Sequence, residues 1–410
     1  MLALEYPLFE VVIVNDGSTD STLKKMIEHY ELIEVPYAYI ERIKTKPFRR
    51  LFKSTSPKYS RLIVVDKENG GTKADASNAG INVSSYPYFI CTDVDCILEK
   101  YALYRCISPI ISSDKQVIAV SGTMLMANGC VVKDGQIVDV RTPRIPLFQN
   151  LESMRSYLIG KMGWSAINGM PNVSGGFGLF DRSVAIAAGG YDGTSFAEDM
   201  DLITRMVGYM CDFSRPYKII QIPDTCCWTE GPPNLAMLYR QRTRWARGLF
   251  QTLSIHHKMI FKKTYKQMGL LTLPYMFVFE FLAPIIELTG LIVFIYLAFT
   301  GAVNWNTAWM IYLTIYTFCQ FLSIVVITYD YYVGMLYKRG YEYLWIIIAS
   351  ILEPIFYHPI ITFCSLRGYL SYLTNRDFKW KNMERKGFKQ KEENTDDAET
   401  AAMKPEPATI

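Results

Sequence analysis

The feature of this 410-residue sequence that most restricts its fold is a nearly continuous apolar region at positions 269–365. It contains runs such as LTGLIVFIYLAF and WMIYLTIYTFCQFLSIVVI, and a helix needs about 20 apolar residues to cross a bilayer. We therefore expect one membrane span within 271–300 and a second within 307–333. The loop between them, GAVNWNT, carries no charge, as is typical of an external loop.

A third apolar stretch, at 344–363, differs because it contains two prolines, a glutamate and a histidine. If it crossed fully, the basic segment around 376–391 would lie outside, against the tendency of Lys and Arg to stay in the cytosol. We therefore expect an interfacial or re-entrant helix pair at this stretch. Further basic clusters at 240–247 and 261–266 flank the apolar region, which predicts a multi-pass protein of the cell membrane whose remaining part is cytosolic.

Composition excludes some other classes of protein. The net charge of +4 is small and the basic residues form no continuous stripe, so a nucleic-acid partner is not expected. The nine cysteines include no C-x-x-C array, which favours reduced, buried thiols in a cytosolic compartment over a metal site built from cysteine.

The first 125 residues alternate between short apolar strands and helical stretches. The strands are EVVIVND at 10–16, RLIVVD at 61–66, PYFICTDVD at 87–95 and QVIAVSGTM at 116–124. This alternation predicts an α/β fold with a largely parallel sheet, whose functional loops follow the carboxyl ends of the strands. Four carboxylates stand at such ends: Asp16, Asp66, Asp93 and Asp95.

The following segment is less regular, and it predicts four further elements. These are a small hairpin at 129–140, a strand at 171–181, a loop entering a helix at 189–206, and an amphipathic helix at 234–257 that suits the membrane surface.

Asp93 and Asp95 are the first candidates for a functional site. Residues two apart in a strand point to the same side, so this reading directs both carboxylates at one spot and turns Val94 away. Two like charges so close repel unless a cation lies between them, and Mg²⁺ or Mn²⁺ bound with phosphate oxygens would meet that need. Taken alone, the pair is weak evidence, because a D-x-D segment is more often a solvated strand end.

Other residues add chemistry to the same edge of the sheet. Asp16 could accept hydrogen bonds from a base or ribose, and Lys73 in GGTKADASNAG offers a cation to phosphates. Asp199, with Glu198 beside it at a helix start, could take a proton from an attacking hydroxyl. Charges at a helix N-terminus also have a purely structural explanation.

The segment QRTRW at 241–245 places Gln241, Arg244 and Trp245 on adjacent turns of one helix. Arginine suits diphosphate oxygens, and tryptophan offers a flat apolar face to a sugar ring. Anchoring to lipid headgroups is the alternative for this helix.

Taken in order, these motifs resemble the membrane-bound, inverting family-2 glycosyltransferases, which include the cellulose, hyaluronan and poly-N-acetylglucosamine synthases. The resemblance covers about residues 1–370 and is nearest to the last of these. The matching segments are NDGSTD at 15–20, KADASNAG at 73–80, DVD at 93–95, SGGFGLF at 174–180, AEDMD at 197–201 and QRTRW at 241–245, which fits the Q-x-x-R-W pattern.

This resemblance implies a cytosolic GT-A domain, a UDP-sugar donor, a saccharide acceptor and a divalent cofactor, Mg²⁺ or Mn²⁺. It assigns Asp199 as the general base and Asp95 as the metal ligand. The residues that it assigns to binding the nucleotide sugar are Asp16, Lys73, Asp93, Gln241 and Arg244. Those that it assigns to binding the acceptor are Trp245 and Glu198. The product would be a β-linked polysaccharide, with the bilayer and export or accessory subunits as further partners.

The expected organisation has four parts. They are a GT-A domain at 1–233, an interfacial helix region at 234–266, a membrane region at 267–372 and a charged disordered tail at 373–410. The family begins with an additional strand that lines the uracil pocket, whereas Met1 opens directly on LALEYP. The sequence therefore predicts a truncated chain or a lost strand, and leaves open a non-processive transferase to a lipid or protein, or a catalytically silent membrane scaffold.

Overall fold

The structure is a computed structural model that describes residues 1–36, 39–133, 135–140, 143–334, 337, 340–374 and 389–390. Nearly all of the tail expected at 373–410 lies outside the described residues. The strands are β1 Val11–Asp16, β2 Leu32–Glu34, β3 Phe48–Ser54, β4 Leu62–Lys67, β5 Tyr88–Ile90, β6 Ile97–Leu98, β7 Gln116–Met126, β8 Val131–Lys133, β9 Gln136–Asp139, β10 Leu179–Asp181, β11 Tyr217–Thr229 and β12 Lys389–Gln390.

The helices before the apolar region alternate with these strands. They are α1 Thr22–Tyr30, α2 Lys73–Val83, α3 Ala102–Ile111, α4 Arg144–Arg155, α5 Met162–Ala166, α6 Arg182–Ala187, α7 Glu198–Asp212 and α8 Leu235–Ile255. A wide turn at Ser156–Lys161 joins α4 to α5 without a break. The predicted hairpin, the start of α7 and the helix α8 are all confirmed.

The predicted α/β fold is confirmed, but its sheets are mixed and not largely parallel. One sheet has the order β1-β4-β3-β2 and the other β5-β10-β7-β11-β6. The pairs β1–β4 and β7–β11 are parallel, whereas β3 joins β4, and β10 joins both β5 and β7, in antiparallel orientation. Antiparallel neighbours need only a short connection, so β3, a strand that the sequence did not predict, pairs with β4 across the segment 55–61.

The strand expected at 87–95 is much shorter than predicted. It ends at Ile90, and the D-V-D segment forms a turn closed by a hydrogen bond from Cys96 N to Asp93 O at 3.0 Å. Val94 is 97% exposed at the tip of that turn. The two carboxylates therefore share one side of a turn and not one face of a strand. The strand expected at 171–181 is likewise confined to Leu179–Asp181.

Three helices are long and apolar enough to cross a membrane: α9 Met268–Phe299, α10 Trp305–Tyr332 and α11 Gly340–Thr374. The first two fit the predicted spans. The third is one continuous helix with a wide turn at Glu353–Tyr357, so its predicted interfacial or re-entrant position stays a prediction.

The first of these three apolar helices and the α/β domain share one apolar core. Ile118 of β7, Leu202 of α7 and Leu249 of α8 belong to the same buried cluster as Leu273 and Met276 of α9. The third helix also touches α8, where Gly368 comes so close that an added Cβ would lie 2.6 Å from Thr243 O. The membrane helices thus help to position α8, which carries QRTRW.

Candidate active site

Lys73, Asp93 and Asp199 meet around the backbone of Gly175. The Lys73 Nζ atom lies 2.7 Å from Asp93 Oδ1 and donates to Gly175 O at 3.0 Å. On its other side, Gly175 N donates to Asp199 Oδ2, also at 3.0 Å. A single residue of the segment SGGFG, Gly175, therefore connects the lysine that opens α2 with a carboxylate in the first turn of α7.

Glu198 and Arg244 face the same group of charges. Burial raises the pKa of Glu198; Asp199 adds to this shift, whereas the positive charges of Lys73 and Arg244 oppose it. Burial lowers the pKa of Arg244, against the carboxylates of Asp199, Glu198 and Asp93. Burial lowers the pKa of Lys73, but the charge and the hydrogen bond of Asp93 outweigh burial and hold that pKa above the ordinary value. The sequence thus identified five charged residues that the fold brings together.

Asp93 and Asp95 also form the candidate metal site. One oxygen of each carboxylate and the Cys96 sulfur all lie within 4.8 Å of one another. Carboxylate oxygens suit Mg²⁺ and Mn²⁺, so the donor set fits the ion that the resemblance implies. The thiol of Cys96 is a softer donor that the sequence reasoning did not include, although it follows the motif directly in DVDC.

Asp16 lies in a separate network at the ends of β1 and β4. It accepts hydrogen bonds from Lys67 Nζ at 2.8 Å and from Gly70 N at 2.9 Å. Lys67 is fully buried and also pairs with Asp75; these two carboxylates outweigh burial and raise its pKa. Lys67 was missed in the sequence, where a lysine directly after the apolar run LIVVD was the available signal.

The three predicted residues of α8 have different surroundings. Arg244 faces the carboxylates, while Gln241 Oε1 accepts a hydrogen bond from Gln149 of α4 at 2.8 Å. Trp245 is 45% exposed, and its ring lies against the guanidinium of Arg242, whose Cζ is 4.4 Å from the ring centroid. The planar guanidinium of Arg242 therefore packs against one face of the indole ring of Trp245.

Arg242, a residue that the sequence reasoning passed over, links α8 to two other helices. Its Nη1 donates to Glu152 Oε1 of α4 at 2.7 Å, and its Nη2 pairs with the second oxygen of that carboxylate. Nη2 also donates to the Tyr357 hydroxyl of α11 at 3.1 Å. The only signal in the sequence was an additional arginine inside the Q-x-x-R-W segment.

A further missed residue is Lys161, at the end of the wide turn between α4 and α5. It is only 7% exposed, and its ammonium lies 4.5 Å from the centroid of the Tyr157 ring. Asp199 and Glu280 are the carboxylates whose charge favours its protonated form. A single lysine in the apolar context YLIGKMGW was the available signal.

Comparison with known families gives two matches along the chain. Residues 1–124 match the model described as glycosyl transferase family 2, and residues 136–322 match the one described as glycosyl transferase family group 2. The two matches follow one another and cover both the charged cluster and the first membrane helix.

Individual relatives point in the same direction. The chain is 28% identical over 255 residues to a poly-beta-1,6-N-acetyl-D-glucosamine synthase of Staphylococcus aureus strain COL, covering 62% of this chain and 50% of the relative. A synthase of the same name from Staphylococcus epidermidis is 25% identical over 253 residues, with the same coverage. The chain thus spans about half the length of the curated relatives it matches.

Among solved structures, a mannosyltransferase from Pyrobaculum calidifontis, in complex with GDP-Man and Mn²⁺, has a similar fold. Its TM-score is 0.51 at 16% identity, over 92% of this chain and 81% of the other. At that identity the similarity establishes the fold alone, which is of the GT-A type.

Proposed function

We propose that this chain, which belongs to the family-2 glycosyltransferases, transfers a sugar from a UDP-sugar to a growing β-linked polysaccharide of the poly-N-acetylglucosamine type. The similarity to two synthases of that polymer supports the product. The observation that carries the proposal is the meeting of Lys73, Asp93 and Asp199 around Gly175.

Asp199 would act as the general base. Its position in the first turn of α7 favours the negative charge, because the helix N-terminus is positive. The Gly175 N–H holds one carboxylate oxygen, which leaves the other oxygen to accept a proton from the acceptor hydroxyl. A hydroxyl deprotonated in this way attacks the anomeric carbon from the side opposite to UDP, which inverts that centre.

The donor diphosphate would be held by positive charge from two directions. Lys73, at the start of α2, and Arg244, on α8, both face the carboxylate cluster, and Gln241 would add a hydrogen bond through its amide. Asp16 would contact the nucleotide through its network with Lys67. Asp95, with Asp93 beside it, would hold Mg²⁺ or Mn²⁺, which when bound offsets the negative charge on the leaving UDP.

The acceptor would lie against the exposed face of Trp245, with Glu198 nearby. The part at 234–266 would be interfacial and the part at 267–372 would cross the membrane more than once, with 1–233 in the cytosol. The three helices long and apolar enough to span a bilayer support this arrangement, and export or accessory subunits would complete it.

The direct test is UDP release by the purified chain in lipid nanodiscs. The donors are UDP-N-acetylglucosamine, UDP-glucose and UDP-glucuronate, each with Mg²⁺ or Mn²⁺, and product size separates a polymer from a single addition. Asp199→Asn should lower the rate by at least about a hundredfold, since a general base contributes roughly that factor. The matched control is Asp212→Asn, at the exposed far end of the same helix, which should leave the rate unchanged.

Release with one donor, lost in Asp199→Asn and on chelation, supports both the reaction and the assignment of the base. Folded protein that releases UDP from none of the three donors would refute the proposed activity of this chain. Equal rates in Asp199→Asn and Asp212→Asn would refute the assignment of Asp199 as the base, but not the proposed activity.

A further inference from the structure

The side chain of Lys161 is buried, and in the described part of the chain no carboxylate lies within ion-pair distance of its ammonium. The residue is 7% exposed, and the ring of Tyr157 is the group that its ammonium contacts, at 4.5 Å from the centroid. Among the residues that the structure describes, no carboxylate comes within 4.0 Å of this Nζ atom and no side-chain hydrogen bond involves it. Burying an ammonium in this way is unfavourable unless something pairs with it.

The surroundings of Lys161 connect it to the reaction site and to the membrane. The hydroxyl of Tyr157, one turn before it, interacts with Ser174, which directly precedes the Gly175 that holds Asp199. On the other side, the rings of Trp164 and Tyr275 meet edge to face at 5.0 Å, which joins α5 to the first membrane helix. Lys161 therefore belongs to a segment that contacts both the loop of Ser174 and Gly175 and the helix α9.

The charges around Lys161 restrict the ligand that it could bind. The charges of Asp199 and of Glu280 in α9 both act on Lys161, so a phosphate bound there would be repelled by two carboxylates. A neutral, hydroxyl-rich molecule meets no such repulsion. It could accept hydrogen bonds from the ammonium, donate to the carboxylates and place a ring face on Tyr157, the combination that suits a saccharide.

We propose that Lys161 and Tyr157 form a binding subsite for the acceptor saccharide on the membrane side of Asp199. The subsite deepens the proposed function and rests on it, because it places the sugar whose hydroxyl Asp199 would deprotonate. Lys161 acts as a positioning residue: it holds the acceptor through an oxygen that takes no part in the reaction, and so fixes the attacking hydroxyl relative to the base.

The test compares the chain with its Lys161→Met and Lys161→Arg variants. Methionine keeps the length of the side chain but removes the charge, and arginine keeps the charge. Lys218→Met, an exposed lysine of β11, is the matched control. In nanodiscs, each protein is assayed for acceptor-independent UDP release, for UDP affinity by calorimetry, and for KM with β-linked N-acetylglucosamine and glucose tetrasaccharides.

Lys161→Met should raise the acceptor KM by about tenfold or more, the loss expected for a hydrogen bond to a charged group. The UDP affinity of Lys161→Met should stay within twofold of that of the unmodified chain, and Lys161→Arg should recover part of the KM. Lys218→Met should leave acceptor-independent release and the acceptor KM unchanged. An unchanged acceptor KM would overturn the proposal. If Lys161→Met lost UDP affinity as well as acceptor affinity, the proposal would also be overturned, because Lys161 would then belong to the donor site.

Direct binding separates this proposal from the proposed function. Binding of the same tetrasaccharides without any donor is measured by saturation-transfer NMR on the unmodified chain and on Lys161→Met. Saccharide binding that depends on Lys161 supports the subsite even when no donor is turned over. If neither tetrasaccharide binds, or if both proteins bind equally, the subsite is refuted whatever the fate of the activity.

Discussion

Lys161→Met should make the folded protein more stable. Burial lowers the pKa of Lys161 from 10.5 to about 8, although Asp199 and Glu280 favour the charged form. Each unit of pKa corresponds to about 1.4 kcal/mol, so keeping the ammonium protonated costs the folded state about 3 kcal/mol near pH 7. Methionine has a similar shape and no charge, and its introduction removes this cost without leaving a cavity.

The dependence on pH follows from the sign of the shift. Because the pKa is lower in the folded state, the cost is fully present below pH 8 and disappears as pH rises towards 10.5. At pH 9.5 about 1.4 kcal/mol of it remains. The stability advantage of Lys161→Met should therefore fall to about half between pH 7 and pH 9.5.

Thermal unfolding in detergent, followed at pH 7 and pH 9.5, measures this difference. For a domain of this size about 2 °C accompanies each kcal/mol, so Lys161→Met should melt about 6 °C higher at pH 7. Lys218→Met should have the same melting temperature as the unmodified chain at both pH values. A melting temperature of Lys161→Met equal to or below that of the control would mean that the folded protein already compensates the charge, and the reasoning for a ligand there would fail.

Three further predictions concern the remaining site. Asp95→Asn should weaken Mn²⁺ binding at least about tenfold in titrations followed by electron paramagnetic resonance, since a ligand carboxylate is lost; unchanged affinity would contradict its role. Lys73→Met should weaken UDP binding about 10- to 100-fold by calorimetry, as expected for a lost charged hydrogen bond, and equal affinity would exclude a diphosphate contact. Arg242→Leu should lower the free energy of unfolding by about 1–3 kcal/mol because it leaves Glu152 unpaired next to buried surface. The added change Glu152→Leu should restore part of that stability in the same denaturation assay; if it does not, the ion pair is not the cause.

Local sequence patterns predicted the parts of the fold that depend on neighbours along the chain. Apolar runs ending in Asp16 and Asp66 do form β1 and β4, and the acidic start of α7 lies where the sequence placed it. Parallel strands bring their carboxyl ends to one edge of a sheet, which accounts for the network of Asp16 with Lys67 at the ends of β1 and β4. Lys73, Asp93 and Asp199 instead meet through a turn, two helix starts and the backbone of Gly175, so the sequence indicated the residues of the candidate site but not how they come together.

Features that depend on a distant partner were not accessible. The segment FRRLFKS alternates poorly and becomes β3 only because β2 and β4 pair with it on both sides. The sequence predicts a strand through the D-V-D segment, because the apolar residues before it do not indicate that β5 ends at Ile90. The role of Arg242 depends on Glu152, which is 90 positions away in the sequence. The role of Lys161 depends on its burial, which arises when α5 packs against α9.

The contacts of Arg242 bear on how the domain and the membrane helices depend on each other. Its guanidinium supports the ring of Trp245 and at the same time bonds the Tyr357 hydroxyl of α11. Gly368 of that helix packs directly on α8, and Glu280 of α9 is one of the two carboxylates whose charge acts on Lys161. The apolar helices therefore help to position the groups that would hold an acceptor saccharide, together with Gln241 and Arg244 on α8, whereas Lys73 and Asp16 are positioned by the sheets and their connections. It follows that removal of these helices should disturb the acceptor contacts and the contacts of α8 to the diphosphate before those of Lys73 and Asp16, because the two sets are supported by different parts of the fold.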